Sequence, residues 1–152
     1  MLDNAAELLV RGGRDIRHTL AMLIPSAWEK SPDLPQPVRD FYRYHAALSE
    51  PWDGPAAIVF TDGRIVGATL DRNGLRPLRY IVCDDGLIGA ASEVGAVNIR
   101  AKHILVKERL GPGQMFAVDT ASGELLHDRE LKERLAAQQP YGEWIERNLR
   151  PL

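Results

Sequence analysis

Two arginines and an aspartate fall within seven residues at Asp71-Arg72-Asn73-Gly74-Leu75-Arg76-Pro77, the one stretch of this sequence that resists a reading as plain packing. Asn73-Gly74 suits a backbone with positive φ, and Pro77 pushes Arg76 toward an extended conformation. Guanidinium groups on so rigid a turn could hold an anion. With Asp71 they could equally brace the loop through internal ion pairs, the commoner use of such residues. Other candidates offer less. His18, His45, His103 and His127 lie far apart and lack paired-ligand spacing, so no metal site is expected and all four read as core or surface histidines. Gly111-Pro112-Gly113 runs into Gln114-Met115-Phe116, which is neither a dinucleotide fingerprint nor a P-loop. Cys83, between Val82 and Asp84, reads as a small buried apolar residue at a strand end.

The elements that must position these residues come in two textures. The first third is helical. An apolar-rich segment through Leu8, Leu9 and Val10 is stopped by Gly12-Gly13. Asp15 can cap a second helix carrying Ile16, Leu20, Leu23 and Ile24, which Pro25 closes. The stretch from Ser31 to Pro37 leads into a third helix through Phe41, Tyr42, Tyr44, His45 and Leu48, whose aromatics on both faces predict that it is sandwiched. From Pro51 onward the pattern is short strands and turns. Ala56 to Phe60 and Arg64 to Leu70 flank Asp62-Gly63, and Leu78 to Cys83 and Leu87 to Ala91 flank Asp85-Gly86; both are hairpin signals. Ile104 to Arg109 and Met115 to Val118 flank Gly111-Pro112-Gly113, and Ser122-Gly123 turns the chain into Glu124 to His127. Connections this short imply antiparallel pairing. The fold class is α+β: helices first, then an antiparallel meander.

Bulk properties bound the function. The chain's 152 residues suggest one domain or a large piece of one. With 45% hydrophobic and 26% charged residues it has an ordinary globular composition. A net charge of −2 argues against a nucleic-acid partner. No apolar run approaches the roughly 20 residues of a membrane span, so no membrane partner is expected. One cysteine points to a reducing, cytoplasmic compartment.

The run Glu50-Pro51-Trp52-Asp53-Gly54-Pro55-Ala56-Ala57 resembles the large subunit of the glutamate synthases. The likeness continues through Phe60-Thr61-Asp62-Gly63-Arg64, Gly67-Ala68-Thr69-Leu70 and Asp71 to Pro77. It includes Leu8 to Arg14, Met22-Leu23-Ile24-Pro25, Ala27-Trp28-Glu29, Ala91-Ser92-Glu93-Val94-Gly95 and Pro140-Tyr141-Gly142-Glu143-Trp144. These motifs span nearly the whole chain in the family's order. A weaker echo of Gly-Leu-Arg-Pro and Ala-Ser-Glu reaches other class II glutamine amidotransferases, among them asparagine synthetases and purine-pathway enzymes.

The resemblance implies a glutaminase domain that hydrolyses L-glutamine and sends ammonia to 2-oxoglutarate. In that scheme an N-terminal cysteine attacks the amide with its own α-amino group as base, and an Asn-Gly pair after a histidine forms the oxyanion hole. It implies an αββα four-layer N-terminal-nucleophile hydrolase sandwich. Residues 1–139 would be part of that domain and residues 140–152 a linker toward the next. The implied partners are the rest of the large subunit and a small electron-donating subunit or ferredoxin. FMN and an iron–sulfur cluster are implied for the parent enzyme, and no cofactor for this chain.

The sequence departs from that pattern at the chemistry. It begins Met1-Leu2-Asp3 rather than with a cysteine, Cys83 is internal, and Asn73-Gly74 follows Arg72 rather than a histidine. The family's substrate-gripping aspartate would fall just upstream of Met1. No catalytic residue is therefore carried over. Asp71, Arg72, Asn73, Gly74, Arg76, Ser92 and Glu93 are expected to line the back of a site, and the chain alone is expected to be inactive. Sheet edges left unpaired would make it marginally stable or prone to associate. A non-catalytic scaffold and a piece of another class II amidotransferase are the competing readings.

Overall fold

The computed structural model describes residues 1–93, 95–96 and 98–150. Val94 of the Ala91–Gly95 run and the last two residues of the 140–152 segment lie outside the described residues.

Three helices open the chain. Helix α1, Leu2–Arg11, ends where the Gly12 and Arg14 amides donate back to the carbonyls of Leu8 and Leu9 at 2.9 and 3.1 Å. Gly13 takes a φ of 92° there, which only glycine adopts freely. Helix α2, Ile16–Leu23, is capped by Asp15, whose Oδ1 accepts from the Arg17 amide at 2.7 Å. Helix α3, Gln36–Ala46, carries Pro37 in its first turn, where a missing N–H is harmless.

Seven strands follow: β1 Ala57–Thr61, β2 Ile65–Leu70, β3 Arg79–Cys83, β4 Ile88–Ala91, β5 Ile104–Arg109, β6 Met115–Asp119 and β7 Glu124–Leu126. They form two antiparallel sheets, β1-β2-β6-β7 and β4-β3-β5. The Asp-Gly hairpins β1–β2 and β3–β4 form as their turns predict. The meander expectation needs correction between β5 and β6. These strands do not pair with each other; β5 joins β3 in the second sheet and β6 joins β2 in the first. Gly111-Pro112-Gly113 is thus a crossing between sheets. Turn chemistry fixes a change of direction, but it does not say which sheet receives the next strand.

Two further helices close the chain, α4 at Asp128–Ala136 and α5 at Tyr141–Asn148. The sequence reading placed no helix at either. The apolar stripe of α4 is narrow, with only Leu131, Leu135 and Ala136 buried apolar within a charged segment. The segment expected to begin a linker forms α5, which packs on α3 and buries Tyr141 and Ile145.

Side chains alternate strictly between two cores, as a pleated sheet requires. Ile58, Phe60, Ile65, Met115, Ala117 and Leu126 leave the first sheet on one side to meet the helices. Ala68, Leu70 and Phe116 leave on the other side to meet Leu78, Tyr80 and Val82 of the second sheet. The architecture of the described residues is three layers: helices, first sheet, second sheet. Helix α3 lies within the helical layer against α2, α4 and α5, as its two-faced aromatic pattern predicts.

Candidate functional site

The seven-residue segment after β2 carries the chain from the first sheet to the second. It packs against the return crossing at Gly111–Gly113. The fully buried Asp71 organises both. Its Oδ1 accepts from the Ala56 amide at 3.2 Å, and its Oδ2 accepts from the amides of Asn73 and Gly74 at 3.1 and 3.0 Å. Its carbonyl accepts from the Gly113 amide at 2.8 Å. Gly74 takes a φ of 59°, and a Cβ there would lie 2.8 Å from the Pro112 Cα, so the close approach of the two crossings needs a glycine. Lys132 reaches in from α4, donating to the Gly113 carbonyl at 2.8 Å while pairing with Asp128 at 2.6 Å.

The two arginines are not part of that brace. Arg72 points outward to Asp53, in an exposed ion pair at 3.0 Å. Arg72 and Asn73 border one cavity of about 430 Å³ beside Trp28 and His45. Arg76 borders another, a groove of about 1040 Å³ between α1 and the unpaired edge of β1. Ser92 and Glu93 are exposed residues just past β4, at the end of the second sheet where Ala91 pairs with Arg79. The structure therefore places the expected site residues at one end of the sheets but divides them between two cavities and the surface.

Cys83 is buried, and burial together with the charges of Asp85 and Asp84 pushes its thiol up, which suits packing and not nucleophilic attack. Tyr80 donates to Glu108 between the sheets and lies 3.2 Å from His127 Nδ1; burial and Glu108 raise its hydroxyl. Among the described residues, no three His, Cys, Asp or Glu side chains converge to hold a metal ion. No described helix is long and apolar enough to cross a membrane.

One cluster escapes any reading by spacing. His18 of α2 and His45 of α3, both buried and separated by 27 positions, bring their Nε2 atoms within 2.8 Å. Arg14 Nη1 lies 2.9 Å from the same His18 nitrogen. Burial, then the positive charges of His45 and Arg14, hold His18 down at about 4; burial likewise lowers His45. The available sequence signal was a histidine on the apolar stripe of each of two neighbouring helices.

The sequence matches the family described as glutamine amidotransferases class-II over residues 1–144. It is 47% identical over 149 residues to the glutamate synthase [NADPH] large chain of Bacillus subtilis, a match that covers 98% of this chain and 10% of that protein. It is 48% identical over 147 residues to the ferredoxin-dependent glutamate synthase of Antithamnion sp., covering 95% and 10%. It is 49% identical over 147 residues to ferredoxin-dependent glutamate synthase 2 of Synechocystis sp., covering 95% and 9%. The chain spans about a tenth of the length of the curated relatives it matches.

Proposed function

This chain belongs to the class II glutamine amidotransferase family, and from that premise we propose that it forms the C-terminal part of the glutaminase domain of a glutamate synthase large subunit. The observation that carries the reading is near-half identity along 95–98% of the chain to proteins named as glutamate synthases. In this reading the domain hydrolyses L-glutamine and passes ammonia on to 2-oxoglutarate. The nucleophile, an N-terminal cysteine with a free α-amine, comes from residues upstream in a longer polypeptide. The only thiol present, Cys83, is internal and buried, so it supplies neither the amine nor a reactive thiolate.

The three observed layers are the part this chain contributes to a four-layer αββα sandwich. The outer face of the second sheet, which carries the exposed Leu105, is where a further helical layer belongs. The unpaired edge of β1, with the exposed Val59, is where an upstream strand adds. The domain's exit toward the next one is assigned to the 140–152 segment, in which Tyr141–Asn148 form α5 against α3. Asp71 shapes the back of the site from below, since its oxygens are taken by backbone amides. Arg72 also borders a cavity but is paired with Asp53, so Arg76, beside the larger groove, is the arginine assigned to approach glutamine.

An iron–sulfur cluster needs several thiolates, and this chain has one cysteine, so the residues present do not fit a cluster. FMN and the cluster are assigned to the synthase part of the parent, as is the electron donor, a small subunit or ferredoxin. The single unpaired cysteine supports a cytoplasmic setting.

The deciding experiment is ammonia release from L-glutamine by this chain, alone and co-expressed with an upstream half that begins with cysteine. Activity only in the pair is expected. Activity from the chain alone would overturn the reading and implicate Cys83. A correctly assembled but inactive pair would favour the competing reading, a scaffold derived from this family. Within the active pair, Arg76→Ala should raise KM for glutamine; an unchanged KM would remove Arg76 from the site.

A further inference from the structure

The buried histidine pair presents a problem in proton counting. His45 Nδ1 lies 2.7 Å from the Phe41 carbonyl oxygen, which can only accept, so Nδ1 carries a hydrogen. A neutral His45 then has only a lone pair at Nε2, aimed at His18 Nε2 across 2.8 Å. Arg14, which can only donate, aims Nη1 at the same His18 atom from 2.9 Å. If His18 Nε2 accepts from Arg14, two lone pairs face each other. If it carries a hydrogen toward His45, it opposes the guanidinium. No neutral arrangement satisfies all three contacts. One additional proton removes the conflict within the pair: His45 as imidazolium donates from both nitrogens, the single lone pair of His18 Nε2 accepts from it, and the Arg14 guanidinium is left free to turn to a ligand.

That proton is opposed by burial and by the positive charge of Arg14. The charge of Asp15 offsets it only in small part, behind burial, His45 and Arg14. Arg14 forms no ion pair among the described residues, and its Nε is buried without a hydrogen-bond partner. The nearby Asp15 is committed to Arg17 at 2.5 Å and to its capping bond. From α3 and α5 the rings of Tyr44 and Tyr141 pack against the pair, and Gln138 meets His18 from the segment between α4 and α5; these three side chains bring no carboxylate. Beside Arg14 and both histidines opens a cavity of about 600 Å³, in the size range of small-molecule sites. Gln138, Gln139, Tyr141 and Trp144 line it, as does Asp15, whose carboxylate is held by Arg17.

We propose that this cavity binds a small organic carboxylate, with Arg14 as its anchor and the His18–His45 pair taking up one proton as the ligand enters. A guanidinium matches the two oxygens of a carboxylate better than it matches a spherical anion. The aromatic walls suit a short carbon skeleton, and the ligand's negative charge offsets the cost of the proton that completes the hydrogen bonds. The proposal is independent of the amide chemistry above. It is read by binding and not by turnover, so its failure leaves that reading untouched.

The test uses this chain with its histidines labelled with nitrogen-15, and succinate as the probe. The imidazole signals of His18 and His45 are followed against pH with and without succinate, and affinity is measured across the same range. Two results are expected. The pair's titration moves upward with succinate, and affinity strengthens by up to about tenfold for each pH unit lowered while one proton is being taken up. Arg14→Gln abolishes binding, Arg14→Lys weakens it, and His45→Gln retains binding while removing its pH dependence. Arg11→Gln, on the exposed Arg11–Glu7 pair, leaves all of this unchanged. Three results overturn the proposal: no response of the two imidazoles to succinate, binding without proton uptake, or an equal response to chloride or inorganic phosphate. The last would mark a general effect of charge.

Discussion

The two sheets differ in what covers them. The first is clad on both faces, by helices on one side and by the second sheet on the other, and β2 at its centre has Ala68 and Leu70 at 0% and 1% exposure. Among the described residues the second is clad on one face; Leu105 of β5 is 69% exposed, while Val106 beside it packs inward. The contrast teaches that burial is deepest where the first sheet lies between two layers and falls away toward the outer face of the second. Leu70→Ala should cost about 3–4 kcal/mol, from lost burial plus a cavity that close neighbours cannot fill. Leu105→Ala should stay within about 0.5 kcal/mol. Urea unfolding followed by circular dichroism measures both. Equal costs would mean that the outer face is covered, for instance by association between copies of the chain.

Acid should strike the helical cladding of the first sheet. His18 is held at about 4 in the fold, against an ordinary value of 6.5, so the fold prefers it neutral. Stability from this group is therefore fully present above pH 6.5 and is lost as the pH falls from there toward 4. The loss is on the order of 3 kcal/mol. His45, shifted the same way, adds to it. On the second sheet, Cys83 and Tyr80 are shifted upward and stay protonated throughout that range. His18→Gln should flatten the dependence of the urea midpoint on pH between 6.5 and 4. An unchanged slope would place the acid sensitivity elsewhere.

Much of this difference was legible from residue types, and some of it could not have been. Strand positions could be read because alternation and Asp-Gly turns are local; β5 spans Ile104–Arg109, as its pattern predicts. Sheet membership could not be read. Whether β6 joins β5 or β2 depends on contacts more than 40 residues apart, such as Val66 opposite Val118. Asp71 stood out in sequence, but as one member of a charged loop. Its role as acceptor for three amides needs the Ala56 backbone, 15 positions away, to be in place. Arg72 and Arg76 looked like its partners and point elsewhere, because an exposed guanidinium gains little from one geometry over another. The His18–His45 pair was illegible for the same reason as the sheets: its spacing belongs to helix packing and not to the chain.

Glycine sharpens the comparison further. A Cβ on Gly67, in the middle of β2, would lie 2.4 Å from the Phe60 ring and 2.6 Å from the Phe116 carbonyl oxygen. The ring can turn aside, but the backbone of the paired strand cannot. Gly67→Ala should therefore cost about 2 kcal/mol by overpacking. On the turn of the second sheet, a Cβ on Gly86 meets nothing within 4 Å, and its φ of 84° is the only strain to overcome. Gly86→Ala should cost about 1 kcal/mol, a smaller loss from a different cause. The two can be told apart by Gly→Asn at each position. Asparagine tolerates the left-handed region, so it should recover part of the loss at Gly86 and deepen it at Gly67.

The crossings that hold the two sheets together give the smallest and most discriminating pair. Asp71→Asn keeps the shape and one accepting oxygen but removes the charge that strengthens three amide bonds, and it turns a donor toward amides that can only donate. The expected cost is about 1–2 kcal/mol. Arg72→Ala removes only an exposed ion pair to Asp53 and should cost less than about 0.5 kcal/mol. If the crossing is what registers the sheets, Asp71→Asn should also speed hydrogen exchange at the Asn73, Gly74 and Gly113 amides, whose protons sit on Asp71 oxygens. Arg72→Ala should leave those amides protected. Exchange that rises equally in both variants would show that the charged loop acts as one braced unit, and Asp71 would lose its separate standing.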